Sequence, residues 1–296
     1  MGKIFEAFNK TGLANEILQD LGELEPLPAV DTGVVPPAPA PAPEPAKVST
    51  SNQNSTPYST QAQAVPYRVV SLHVNGATPV LPFEEASQAG EQYRMLRTRI
   101  VQHHRYPQTI VVSSAQPRDG KSITTLNLAG ALSLKGDARV LLIDGDFRHP
   151  AIWQLLGLEE KPGLADVLEG KAQLHEAIVQ AREYPNLFVL PAGKPQSNAS
   201  ELLDSDAFDA VFERLKRMFK YLIVDSPPIA SVADYDLLAA ASDGVILVIR
   251  PDHTNRQACR KALDSIPKEK SLGVVMNCVP EWFLGKQNGY GYGVYY

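Results

Sequence analysis

Short, almost unbroken apolar runs recur along the chain: IVV from Ile110, RVLLI over Arg139–Ile143, LFVL over Leu187–Leu190, YLIV over Tyr221–Val224, VILVI over Val245–Ile249 and LGVVM over Leu272–Met276. Apolar runs without alternation read as strands buried on both faces. Between them the pattern changes to helical spacing. Residues 83–104 place Tyr93, Leu96 and Ile100 on one face, and Ile123, Leu126, Leu128, Ala129 and Leu132 form a second stripe. Short helical pieces fill 148–180, and 205–219 reads as an amphipathic helix. Strands alternating with helices predict an α/β fold, a mostly parallel sheet flanked by helices on both faces. In such sheets ligands bind beyond the carboxyl ends of the strands.

The pattern breaks at both ends. Residues 1–24 read as amphipathic helix, with Ile4, Phe5 and Phe8 together and then Leu13, Ile17, Leu18 and Leu21. This segment either packs on its own domain or docks on a partner or membrane surface. Residues 25–82 begin with a proline-alanine run, VVPPAPAPAPEPAK, which favours extended polyproline II, and continue with STSNQNSTPYSTQAQ. That composition cannot build a core and reads as a disordered spacer. The folded domain is therefore expected over 83–280, with a Tyr/Gly-rich tail over 281–296.

Composition narrows the function. At 44% apolar residues the chain can bury a core, and its net charge of −5 argues against broad nucleic-acid binding. Its two cysteines, Cys259 and Cys278, lack metal spacing and read as buried thiols in a reducing compartment. No run approaches the length of a membrane span, and MGKIFEAFNK lacks the apolar stretch of a secretory signal.

The chemistry centres on IVVSSAQPRDGKSITTLNL, residues 110–128. Strand, tight loop, Gly120-Lys121-Ser122 and helix follow in the order that a phosphate-binding P-loop requires. Unpaired N–H groups at a helix N-terminus carry partial positive charge and suit a polyphosphate. Lys121 can reach the outer phosphates and Ser122 can ligate Mg²⁺. Ala115 stands where the full motif has glycine, so the match is incomplete. The nucleotide-binding positions expected are Asp119, Gly120, Lys121, Ser122, Ile123 and Asn277.

Strand RVLLI runs directly into Asp144, Gly145, Asp146, Phe147 and Arg148, and strand YLIV into Asp225. A single strand-end aspartate is ordinarily a turn or helix cap. Three beside a GKS loop suit a Mg²⁺–ATP site. Mg²⁺ takes few direct protein ligands and keeps several waters. Ser122 with the phosphates fills its inner shell, Asp225 and Asp146 hold metal-bound waters, and Asp144 is left to accept a proton. The tail, YGYGVYY, holds four of the chain's 11 tyrosines in seven residues, where an even spread would put about 0.3. Tyr290, Tyr292, Tyr295 and Tyr296 are either phosphate acceptors or a merely adhesive tail. From Asn277 the extended chain spans at most about 60 Å, enough to reach its own site or a neighbour's.

The runs SAQPRDGKS, LLIDGDFRHP and LIVDSPPI resemble the bacterial tyrosine kinases (BY-kinases), over roughly residues 83–296. The resemblance implies a P-loop NTPase sheet, ATP and Mg²⁺ as cofactors, autophosphorylation of the tail tyrosines, and control of capsular or extracellular polysaccharide synthesis. Asp144, Asp146 and Arg148 match the family's Walker A′ motif and Asp225 its Walker B motif. AGKPQSNASELL at 192–203 is similar to a further family segment, with Ala199 where proline is usual. Glu91, Arg94 and Arg97 match an E-x-x-R-x-x-R helix that implies assembly of a homo-oligomeric ring. By spacing alone this triplet is an ordinary solvated helix face. Asn277 matches the position that contacts adenine. The implied partners are a membrane-bound polysaccharide co-polymerase that recruits and activates a cytoplasmic kinase, and a tyrosine phosphatase. Arg118 stands where the family has glycine. The alternatives are a Min/Par-type ATPase, whose signature lysine is replaced here by Gln116, and a catalytically inactive nucleotide-binding scaffold.

Overall fold

The computed structural model describes residues 67–73, 88–136, 138–158, 162–229 and 233–279. The helix expected within 1–24, most of the spacer and the tail tyrosines lie outside these residues. In chain order the elements are β1 (Arg68–Val70), α1 (Gln88–Val101), β2 (Thr109–Ser114), α2 (Lys121–Ser133), β3 (Val140–Asp144), α3 (Ile152–Leu155), α4 (Leu164–Leu168), α5 (Leu174–Ala177), β4 (Val179–Ala181), β5 (Leu187–Leu190), α6 (Ala199–Leu203), α7 (Asp206–Met218), β6 (Tyr221–Asp225), α8 (Asp234–Ala240), β7 (Gly244–Ile249), α9 (Arg256–Asp264) and β8 (Ser271–Met276). The strands form one eight-stranded sheet in the order β1-β4-β5-β3-β6-β2-β7-β8. All neighbours pair in parallel except β4 with β5. The mostly parallel α/β sheet expected from the pattern is present.

The apolar runs make these strands because alternate residues are claimed by opposite faces. Ile110, Val112, Val140, Leu142, Ile223, Ile246 and Val248 share one core cluster with Leu126, Leu128 and Leu132 of α2 and Ile100 of α1. Their neighbours Val111, Leu141, Leu222, Val224 and Leu247 are equally buried. They occupy the other face of the sheet, where α7 and α8 lie against β6 and β2. Helix α7 shows how local sequence sets an element. The Ser205 hydroxyl caps it by accepting from the Phe208 N–H at 3.2 Å. Acidic Asp206 and Asp209 occupy its first turn and basic Lys216 and Arg217 its last, matching the helix dipole, while Phe208, Phe212 and Leu215 are buried.

Two strands fall where the pattern gives none. β4 lies in the stretch read as short helical pieces, and β1 lies inside the 25–82 stretch read as spacer. β1 begins at Arg68, ahead of the expected boundary at Phe83. β1 is three residues long and partly exposed, so no buried run announces it. Long-range packing holds it instead. The Tyr67 ring meets Phe188 edge-on at 5.2 Å, and Phe188 meets Phe219 at 5.2 Å. The Arg139 guanidinium lies 4.7 Å, 5.0 Å and 5.7 Å from the Phe188, Phe219 and Tyr67 ring centres. Tyr67→Ala is therefore expected to lower stability by about 1–2 kcal/mol, from the aromatic contacts and buried area lost. Urea unfolding measures it, and an unchanged midpoint would return Tyr67 to the spacer.

Candidate nucleotide and phosphoryl-transfer site

Sheet order, not chain order, assembles the site. β3, β6 and β2 are neighbours, so the ends of strands distant in sequence meet. In the parallel register Asp144 of β3 stands directly opposite Asp225 of β6. The loop leaving β2 turns over both and enters α2 through Gly120, which has φ 95° and ψ 24°. That left-handed conformation suits glycine, and a Cβ there would lie 1.8 Å from the Asn277 side-chain nitrogen. The first N–H groups of a helix have no acceptor within it; here they belong to Lys121, Ser122 and Ile123.

The side chains converge under this turn. Lys121 Nζ lies 3.0 Å from Asp146 Oδ2 and 3.4 Å from Asp225 Oδ2. The Ser122 hydroxyl donates to Asp225 Oδ2 at 2.6 Å. Asp144 and Asp225 are fully buried and Asp146 nearly so. Burial alone would depress the lysine's pKa, but the charges of Asp225 and Asp146 outweigh it and hold the ammonium above its ordinary value. Burial also raises Asp225, and Lys121 and Ser122 offset this only in part. Asp144 is pushed from 3.8 to about 7, by burial first and the facing Asp225 charge second. The main-chain N–H groups of Ala151 and Ile152 oppose that shift, both donating to Asp144 Oδ2 at 3.0 Å.

Other expected residues take different places. The Asp119 carboxylate is fully buried and committed to protein partners: the Gln116 N–H donates to Oδ2 at 2.8 Å, the Thr254 hydroxyl to Oδ1 at 2.7 Å, and His253 Nδ1 lies 2.9 Å from Oδ1. Asn277 Nδ2 donates to the Asp119 carbonyl at 3.0 Å, so Asn277 does lie against the loop. Arg148 is drawn to α8 and α6: Nε donates to the buried Asp234 of α8 at 2.8 Å and Nη2 to Ser200 Oγ of α6 at 3.2 Å. Glu91 and Arg94 pair with each other on α1, and Arg97 donates to the Ala131 carbonyl at 3.3 Å. Cys259 is buried but Cys278 is exposed, contrary to the expectation of two buried thiols. The sequence reading does not single out His253, Thr254 or Asp234. The signal available is a polar cluster, HTN, directly ahead of the amphipathic helix α9, where Asn255 is the cap.

Among the described residues no cluster of three or more His, Cys, Asp or Glu is placed to hold a metal ion directly. The donor set nonetheless fits Mg²⁺ held through Ser122 and bound waters, because the buried carboxylates outnumber the one ammonium among them. A strand, a glycine turn, a helix N-terminus carrying Lys121 and Ser122, and strand-end carboxylates define a P-loop nucleotide-binding protein. A family model described as an AAA domain matches residues 107–271. Tyrosine-protein kinase YwqD of Bacillus subtilis (strain 168) is 36% identical over 213 residues, covering 71% of this chain and 88% of that protein. The succinoglycan biosynthesis transport protein ExoP of Rhizobium meliloti (strain 1021) is 34% identical over 202 residues, covering 63% of this chain and 25% of ExoP. The crystal structure of the chimerical protein CapA2B2 superposes with a TM-score of 0.66 at 28% identity, covering 73% of this chain and 95% of that one. The chain belongs to the bacterial tyrosine-protein kinases.

The Asp144 shift has a consequence for stability. The unfolded carboxyl ionises near 3.8, whereas the folded one keeps its proton to about 7. Between those values the unfolded state binds fewer protons, so rising pH destabilises the fold, with the full loss reached above about 7. In metal-free buffer the wild type is expected to lose stability across this window, and Asp144→Asn to show a flatter slope. Urea unfolding at several pH values tests this; parallel slopes would contradict it.

Proposed function

We propose that this chain is an ATP-dependent protein-tyrosine autokinase whose acceptors are the tail tyrosines Tyr290, Tyr292, Tyr295 and Tyr296. The observation that carries the reading is the buried set of Lys121, Ser122, Asp146 and Asp225 under the Gly120 turn, with a proton-accepting carboxyl, Asp144, beside it. The N–H groups of Gly120 to Ile123 cradle the phosphates, and Asn277 lies near the base. Lys121 turns from its carboxylates to the outer phosphates and neutralises their charge. Ser122 directly, and Asp146 and Asp225 through water, would hold Mg²⁺, which would supply charge stabilisation at the transferring phosphoryl group. Asp144 takes the proton of a tail tyrosine, whose oxygen forms the new bond to the γ-phosphorus as the bond to the bridging oxygen breaks and ADP leaves. A carboxyl titrating at about 7 is matched to that task at neutral pH.

Assembly is part of the proposal. The Glu91–Arg94 pair is solvent-accessible and worth at most about 1 kcal/mol, so its members are readily exchanged for partners on a neighbouring subunit. A homo-oligomer, with a ring as its closed form, lets one tail enter the next site. Each phosphate adds about −1.5 to −2 charge, and a tyrosine phosphatase resets the tail. The name of ExoP, a succinoglycan biosynthesis transport protein, supports a role in polysaccharide synthesis. The proposal places the kinase in the cytoplasm, recruited and activated by a membrane-bound co-polymerase. No helix among the described residues is long and apolar enough to cross a membrane.

Intact mass after incubation with Mg-ATP tests the core claim on wild type, Lys121→Met and a chain ending at Gln287. Added multiples of one phosphate in the wild type alone are expected. Steady ATP hydrolysis without added mass would favour the partition-type ATPase. Bound ATP with neither hydrolysis nor added mass, even with the co-polymerase present, would favour the inactive scaffold.

A further inference from the structure

Asp119 immediately precedes the glycine whose left-handed turn aims the helix N-terminus, yet its carboxylate is buried and faces away into a protein network. Its Oδ2 accepts from the Gln116 N–H at 2.8 Å, which closes the loop on itself. Its Oδ1 accepts from the Thr254 hydroxyl at 2.7 Å, from a loop 135 residues further along the chain. Thr254 Oγ1 in turn accepts from the Arg250 N–H at 2.8 Å. The Arg250 N–H can only donate, so the hydroxyl proton is directed at Asp119 and the relay has a single sense. A parallel link runs beside it, the Asn255 N–H donating to Gln116 Oε1 at 3.2 Å. The loop that follows β7 is thereby fastened to the loop that follows β2, and these strands are neighbours in the sheet.

We infer that Thr254 is a positioning residue for the phosphate site, acting through Asp119 to hold the loop before Gly120 in its binding shape. Two physical arguments support this. A carboxylate at the mouth of a phosphate cradle would repel the ligand; tied to Thr254 and His253 beneath the loop, it becomes a structural anchor instead. The loop also carries Arg118 at φ 68°, a conformation that an L-residue adopts at a cost, so it needs external bonds to stay there. The inference rests on the reading of residues 120–123 as the phosphate cradle. It also revises the expectation for Asp119, whose side chain serves the loop while only its backbone adjoins the cradle.

The test compares Mg-ATP binding by calorimetry for the full-length wild type, Thr254→Val and Thr254→Ser, with thermal melts of each free of nucleotide. Valine keeps the volume and removes the donor; serine keeps the donor. Thr254→Val is expected to bind about tenfold more weakly, the order of one hydrogen bond to an ionised group, and Thr254→Ser to stay within about twofold of wild type. The nucleotide-free melt of Thr254→Val is expected to fall by a few degrees, because a buried carboxylate loses a donor, while Thr254→Ser melts with the wild type; a single cooperative transition in each shows that the weaker binding is not a failure to fold. Wild-type affinity in Thr254→Val would overturn the inference, as would equal weakening in both variants. Binding is read without phosphoryl transfer, so a failure to autophosphorylate would sink the kinase reading and leave this test intact.

Discussion

Three carboxylates at the ends of two adjacent strands share one ammonium, and the site is arranged around that imbalance. Asp144 and Asp225 face each other because the β3–β6 register leaves them no alternative. Water does not reach either, so the protein must supply the compensation. Lys121 bridges Asp225 and Asp146, Ser122 donates to Asp225, and the N–H groups of residues 146, 151 and 152 turn toward Asp144. The last two open helix α3, so the carboxylate also fixes where the chain goes after β3. Even so Asp144 is left holding a proton to about neutral pH. A divalent cation would bring the positive charge that this cluster lacks; a polyphosphate adds negative charge of its own, which that cation, Lys121 and the N–H groups at the start of α2 would have to offset.

The central strands were legible because burial on both faces leaves no room for polar residues. Strands β3 and β5 to β8 begin and end within a residue of their apolar runs, and β2 runs two residues past its own, to Ser114. The three-residue strands β1 and β4 were not. Arg68–Val70 and Val179–Ala181 carry no periodicity of their own, and their order comes from pairing with each other and, for β4, with Leu187–Leu190. The Arg139 cage that fixes Tyr67 joins residues far apart in sequence, and no local window contains it.

The site divides in the same way. Lys121, Ser122, Asp144, Asp146 and Asp225 announce themselves because each sits at a strand end or helix start, where backbone geometry dictates the position of the side chain. Asp119 sits in an irregular loop, where spacing gives the path of the backbone but not the direction of the carboxylate. The partners that decide that direction, His253 and Thr254, lie over a hundred residues away. Arg148 is similar. Its match to the Walker A′ motif named no partner for it, whereas its guanidinium is paired with the fully buried Asp234, a carboxylate that needs a cation.

Arg118 brings these threads together. At the position for which the family resemblance implies glycine, this chain holds an exposed arginine in the left-handed region. The strain falls on the residue next to Asp119, the most heavily bonded position of the loop. Hydrogen bonds to a buried carboxylate are among the stronger ones available, and Asp119 collects them on both oxygens. The loop can therefore tolerate a side chain at the glycine position because its shape is enforced from outside, by the neighbouring strand's loop, and not by the conformational preferences of its own residues. Gly120 is different: its φ of 95° is strained for any L side chain, and a Cβ there would also displace the Asn277 amide. Both positions have positive φ, but only at Gly120 would a side chain push aside a group bonded to the loop, the amide that donates to the Asp119 carbonyl.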